Sequence, residues 1–203
     1  MLVPAELPIL DLVPLFRARH FYFVLSRNDV KHVVSFQDLD KLPVKSCVFS
    51  LVLELEELLI AAMLACPSAF LSHLPSGRRK KAEHLCRQKH EGRVSPEWLL
   101  SCTTFIDKKT MALGHGAFRA RLPFESRSKA GSFFKRVEDV RNQIARGESM
   151  LSELSTPGEF DDLVRAISGT VAALRRDVPV WLQTCREEIR ASEGLSVNVA
   201  PPI

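Results

Sequence analysis

Two short stretches of this sequence carry groups that can handle a sugar or a phosphate. In the first, Ser35 and Asp38 stand three residues apart where the apolar run Val33-Val34 ends, a hydroxyl and a carboxylate at the exit of a strand. A carboxylate can accept from both hydroxyls of a ribose, and a strand that leads into a helix presents backbone N–H donors to an anion. His32 precedes them and completes the candidate ligand contacts. The same hydroxyl and carboxylate also serve a plainer purpose, because a serine at a helix start caps orphan amides. In the second stretch, Arg141, Asn142 and Arg146 follow an amphipathic run. A guanidinium grips phosphate through a bidentate fork, so Arg141 with Arg146 is a candidate phosphate or RNA contact. Arg141 and Asn142 equally suit a structural task, tying neighbouring helices or holding a helix end.

The remaining reactive side chains form weaker patterns. His115 lies between Gly114 and Gly116, so a flexible loop could set its imidazole beside a ligand, although an exposed loop histidine without a role is the commoner case. Cys86 and His90 make a lone Cys-x-x-x-His that needs two further ligands, and no metal centre is expected from it. No Gly-x-Ser-x-Gly elbow and no glycine-rich phosphate loop occurs, which removes the two commonest hydrolase and nucleotide-phosphate signatures. Arg78, Arg79, Lys80 and Lys81 form the one run of cations, with only Phe70 near it to stack a base, and a solvated helix start accounts for it.

The segment FYFVLSRNDVKHVVSFQDLDKLPV, residues 21–44, resembles the second half of a CBS motif. In that family pairs of motifs form a cleft for adenine nucleotides, with a hydroxyl near phosphate and an aspartate on the ribose. The resemblance implies those roles for Ser35 and Asp38. His32 stands where the family has glycine, and the chain holds a single motif, so the second would come from another copy of the chain or from a different CBS-containing chain. The run Arg141-Asn142-Gln143-Ile144-Ala145-Arg146-Gly147 is similar to the signature Arg-Asn-x-x-Ala-His-Gly of HEPN-type helical domains. In the ribonucleases of that family the arginine and histidine of two protomers meet an RNA phosphate. Arg146 occupies the histidine position, and a guanidinium that never loses its proton cannot act as a general base. An enzymatic reading therefore needs Arg141 with a substitute such as His115.

The elements that must position these groups can be read from period and punctuation. Residues 8–18 predict a short apolar helix interrupted or ended near Pro14. His20–Leu25 and Val30–Phe36 are β-branched and aromatic runs joined by Arg27-Asn28-Asp29, which predicts a hairpin. A brief helix at Gln37–Lys41 is expected to stop at Pro43. From Ser46 the apolar residues Val48, Leu51, Leu55, Leu58 and Ala62 recur at helical spacing and predict a central buried helix. A polar helix to about His90 and a short helix opened by Ser95-Pro96 follow. Phe133, Val137, Val140 and Ile144 predict an amphipathic helix capped by Ser128 or Ser132 and closed by Gly147. Two further helices are expected, one carrying Phe160 to Leu174 and one begun by Asp177 and Pro179 and ended by Gly194.

Composition sets the class. The chain has 203 residues, 46% hydrophobic and 26% charged, with net charge +4, which is the balance of a chain that buries a core. Five cysteines, Cys47, Cys66, Cys86, Cys102 and Cys185, are odd in number and set among apolar neighbours, and predict reduced thiols in a reducing, cytoplasmic compartment. No cationic segment followed by an apolar one opens the chain, so no secretory leader is expected. Val48–Ala65 is apolar but carries Glu54, Glu56 and Glu57, each costing about 2–3 kcal/mol in a bilayer, so no membrane span is expected.

The expected fold is α+β and mainly α: a CBS-like hairpin and helix module over 1–45, a helical HEPN-like domain over 46–194, and a frayed tail over 195–203. The expected function is a non-catalytic regulator or sensor. Its front module binds an adenine nucleotide or mediates dimerisation and passes its state through Pro43–Val48 into the central helix. A HEPN-type ribonuclease and a purely structural homodimeric module are the alternatives.

Overall fold

The computed structural model describes residues 1–152, 154 and 156–195. The fold is α+β and mainly α, with one three-stranded sheet. Its order is β1 (Leu2–Pro4), β2 (Phe21–Ser26) and β3 (Asp29–Ser35), β1 parallel to β2 and β2 antiparallel to β3. Parallel neighbours need a crossover, supplied here by α1 (Ile9–Leu12) and the 3-10 turn Val13–Arg17. The helix expected over residues 8–18 is thus two short pieces, interrupted as expected near Pro14, which lies in the first turn of the second. A proline fits a helix start because the amide it lacks has no acceptor there.

The hairpin turns on Arg27 and Asn28, at φ 51° and 65°. Two successive left-handed residues match the twist of the flanking strands, and asparagine adopts that region at low cost. A bulge at Val24/Leu25 leaves Lys31 without a cross-strand partner, since Val24 faces His32 and Leu25 faces Val30. Strand alternation then gives the sheet two faces. Val3 and Tyr22 are buried on the inner one, where Tyr22 meets the edge of Phe16 at 5.7 Å and donates its hydroxyl to the Leu15 carbonyl at 2.7 Å.

The helices that follow are α2 (Leu42–Met63), α3 (Pro67–Leu71), α4 (Ser76–Lys89), α5 (Pro96–Ser101), α6 (Phe105–Gly114), α7 (Gly116–Arg119), α8 (Arg127–Arg146) and α9 (Pro157–Leu195). The brief helix at Gln37–Lys41 is a 3-10 turn, Phe36–Asp40, and Pro43 does not stop it but lies in the first turn of α2. The two helices expected after Pro157 are one, with Pro179 inside it. Pro179 is exposed and removes the donor to a single carbonyl, while Leu174, Val178 and Trp181 are buried to either side and hold the axis. The tail expected at 195–203 lies outside the described residues apart from Leu195.

The chain forms two compact units. The first comprises Met1–Leu55 with Ser132–Thr170, and the second Glu56–Gly131 with the stretch from Val171. In the first, Val13, Phe16, Tyr22, Leu39, Val48 and Phe160 are among the buried core. Arg17 is tied to the second turn of α9 by ion pairs to Asp161 and Asp162, and buried Asp161 also accepts from Arg165 at 2.8 Å. In the second, Leu59, Met63, Phe70, Leu100, Met111 and Phe118 are fully buried, and the Trp181 indole donates to the Ala62 carbonyl at 2.9 Å. Lys108 is buried there with Glu56 at 2.5 Å, the pairing that a charge removed from water requires.

Candidate functional site

Ser35 ends β3 in extended conformation and begins the turn Phe36–Asp40. Its backbone N–H and its hydroxyl donate to Asp38 Oδ2 at 2.7 and 2.9 Å, and the Lys41 ammonium pairs with Oδ1 at 2.5 Å. Lys41 first, then the Ser35 amide, holds the Asp38 carboxyl below the usual carboxylate range. The structure therefore brings Ser35 and Asp38 together as a capping box in which both carboxylate oxygens have partners. His32 is exposed, opposite Val24. Being three residues from Ser35 on one strand, it belongs to the other face of the sheet.

A cleft of about 370 Å³ in the first unit is lined by Phe16, Arg17, Arg19, His20 and Thr156–Gly158. Its guanidinium from Arg17 is committed to Asp161, Asp162 and the Gly158 carbonyl, so it clamps the start of α9.

On α8, Phe134, Val137 and Val140 are buried, Arg141 and Asn142 are half-buried, and Arg146 is exposed as the last helical residue. Five positions separate the two arginines, which puts them about 140° apart around the axis. They do not form a two-pronged phosphate grip on one face. The cap is Ser126, whose hydroxyl accepts from the Lys129 amide at 3.1 Å, rather than Ser128 or Ser132. Gly147, at φ 73°, ends the helix as expected, with its own amide donating to Ile144 and that of Glu148 to Gln143, the double bond pattern of a left-handed cap.

His115 belongs to the second unit. Its Nδ1 accepts from the Phe118 amide at 3.3 Å and so caps α7. The ring stacks on Phe70 at 4.4 Å and meets the edges of Trp181 and His73. Burial first, and then His73, pushes its pKa below the ordinary histidine value. Its neighbour Gly114 is where α6 passes His73: a Cβ there would lie 2.7 Å from that side chain's Cβ.

The feature with the plainest functional content was not read from the sequence. The outer face of the sheet carries Leu2, Pro4, Phe21, Phe23, Leu25, Val30, Val33 and Ser35, none of them charged. Leu2, Phe21, Phe23, Val30 and Val33 are 53, 50, 38, 50 and 57% exposed. Register sets Leu2 and Val33 on either side of Phe23, and the Phe21 and Phe23 rings meet edge to face at 5.6 Å. The signal was present: Phe21 to Leu25 is apolar at every position, the pattern of a strand covered on both sides rather than one.

The second unit also adds to the Cys86–His90 pair. Cys102 joins it, so three possible metal donors stand together where the sequence offered two. Comparisons of this chain with protein-family models, with curated proteins and with solved structures find no match.

Proposed function

We propose that this protein is a non-catalytic interaction protein of regulatory type, whose front module pairs through its outer sheet face with a second copy of the chain. The exposed apolar face carries this reading. Its five most exposed residues offer on the order of 450 Å², inside the range of about 300–600 Å² that the largest, often functional, apolar patch of a monomer covers. That is roughly half of the ~800 Å² that each partner contributes to a standard interface, and it suits the apolar centre of one. A face without charges meets a copy of itself across a two-fold axis without setting like charges against each other. Pairing of modules is also what the CBS resemblance implies for a chain with one motif.

An adenine nucleotide is the ligand class that goes with the resemblance, with Ser35 and Asp38 as its contacts, while His32, on the other face of the sheet, does not join them. Such a ligand must compete with the capping box for Asp38. The enzymatic alternative draws no support from α8, since Arg146 replaces the histidine and a guanidinium cannot act as a general base.

Sedimentation velocity tests the pairing. Wild type is expected to run as a dimer and Phe23→Glu as a monomer with unchanged helical circular dichroism, while Val180→Glu, at an exposed position of α9, remains a dimer. A wild-type protein that stays monomeric across the micromolar range overturns the reading. Thermal unfolding with added AMP or ATP tests the ligand separately, because a bound nucleotide raises the midpoint with concentration.

A further inference from the structure

Three donors in the second unit have no part in that reading. Cys86 lies in the last turn of α4, and His90 follows as its C-cap, its amide donating to the Cys86 carbonyl at 2.9 Å. Four residues apart at a helix end, the two side chains share one face. Cys102 comes from elsewhere, as the C-cap of α5. The two sulfurs and an imidazole nitrogen all lie within 4.8 Å of one another.

We propose that Cys86, His90 and Cys102 form a zinc site with a fourth position open to solvent. Two thiolates and a neutral imidazole are the ligands a borderline-soft d¹⁰ cation prefers, and the pair of thiolates balances its charge. With Zn–S near ~2.3 Å and Zn–N near ~2.0 Å, tetrahedral donors sit roughly 3.5–3.8 Å apart, so closing the set takes shifts of about 1 Å or less. Binding releases one proton from each thiol to solvent as two Zn–S bonds and one Zn–N bond form, with no change of oxidation state.

The surroundings hold the ligands in place. The His90 ring stacks on Trp98 of α5 at 4.8 Å and 11°, which fixes its plane. The chain reverses through Glu91 and Gly92, at φ 50° and 83°, with the Gly92 amide donating to the Arg87 carbonyl at 2.8 Å. That reversal returns Arg93, whose carbonyl lies 3.7 Å from the Cys86 sulfur. Cys86 and Cys102 are buried and His90 is half-buried. Beside His90 a cleft of about 250 Å³, lined by Lys89, His90, Glu91, Arg93 and Trp98, gives an entry path and room for a water as fourth ligand.

The test uses the full chain, reduced and stripped with a chelator, then titrated with zinc and separately with cobalt(II). One zinc per chain, a raised unfolding midpoint, and a thiolate-to-cobalt charge-transfer band with tetrahedral d–d absorption are expected. Cys86→Ser, Cys102→Ser and His90→Ala should each lose stoichiometric uptake, while Cys47→Ser keeps it. No uptake by wild type overturns the proposal, and so does cobalt bound without a thiolate band or equal uptake in the three variants. Because the cobalt spectrum is read on wild type, the outcome does not depend on the cysteine variants folding.

Discussion

Asp38 and His115 both serve as caps, and both leave a mark on stability at their own pH. The folded Asp38 carboxyl sits below its unfolded value, so its contribution is complete above the ordinary carboxylate pKa of about 3.9 and is lost as pH falls through the folded value. Asp38→Asn should therefore cost about 1 kcal/mol at neutral pH and show a shallower acid loss than wild type in urea unfolding from pH ~6 down to ~2. His115 acts in a higher window. Its folded pKa lies below the ordinary value of about 6.5, so the neutral ring's contribution is full above that value and fades as pH drops through the folded one. His73 and Glu188 are the titratable groups that act on it, the first lowering and the second raising its pKa. His115→Asn keeps an acceptor for the Phe118 amide and removes the titration. Its unfolding free energy should lose the wild-type slope just below pH ~6.5, and a retained slope would assign that slope to another group.

At the level of elements, two glycines, one just past the end of α8 and one inside α9, make opposite demands. Gly147 closes α8 at φ 73°, where a side chain is strained, so Gly147→Ala should destabilise by about 1 kcal/mol. Gly169 is exposed within α9 with open space around its Cβ position. Gly169→Ala should stabilise by about 0.5–1 kcal/mol, because alanine loses less backbone freedom on folding. Chemical denaturation of both variants checks the pair, and a shared sign would contradict the assigned roles. The sheet presents a different demand. β2 is apolar on both faces from Phe21 to Leu25, and among the described residues only its inner face is packed, which is the demand that the proposed pairing meets.

For the whole molecule, the proposed pairing predicts an unfolding midpoint that depends on protein concentration. A dimer held by the sheet face gains stability with concentration by mass action, and Phe23→Glu should unfold at a concentration-independent midpoint. Scanning calorimetry over a hundredfold dilution series reads this directly. No helix among the described residues is long and apolar enough to cross a membrane, in keeping with Glu54, Glu56 and Glu57 inside the most apolar stretch. Glu56 finds a buried partner in Lys108 instead of lipid.

What the sequence determined by itself is local. The hairpin at Arg27-Asn28, the α2 and α8 stripes, the Gly147 stop and the Ser35–Asp38 cap all rest on groups within a few residues of one another, where steric limits and amide partners act without help from the rest of the chain. Tertiary structure decided whatever depends on distant partners. Three residues of β1 carry too short a period to declare a strand until β2 lies beside them. Pro179 reads as a boundary until buried neighbours on both sides carry the helix through it. Cys102 is twelve residues past His90 and reaches it only because α5 packs against α4. The outer sheet face is apolar in sequence like any buried strand, and only the folded chain shows that it stays exposed among the described residues.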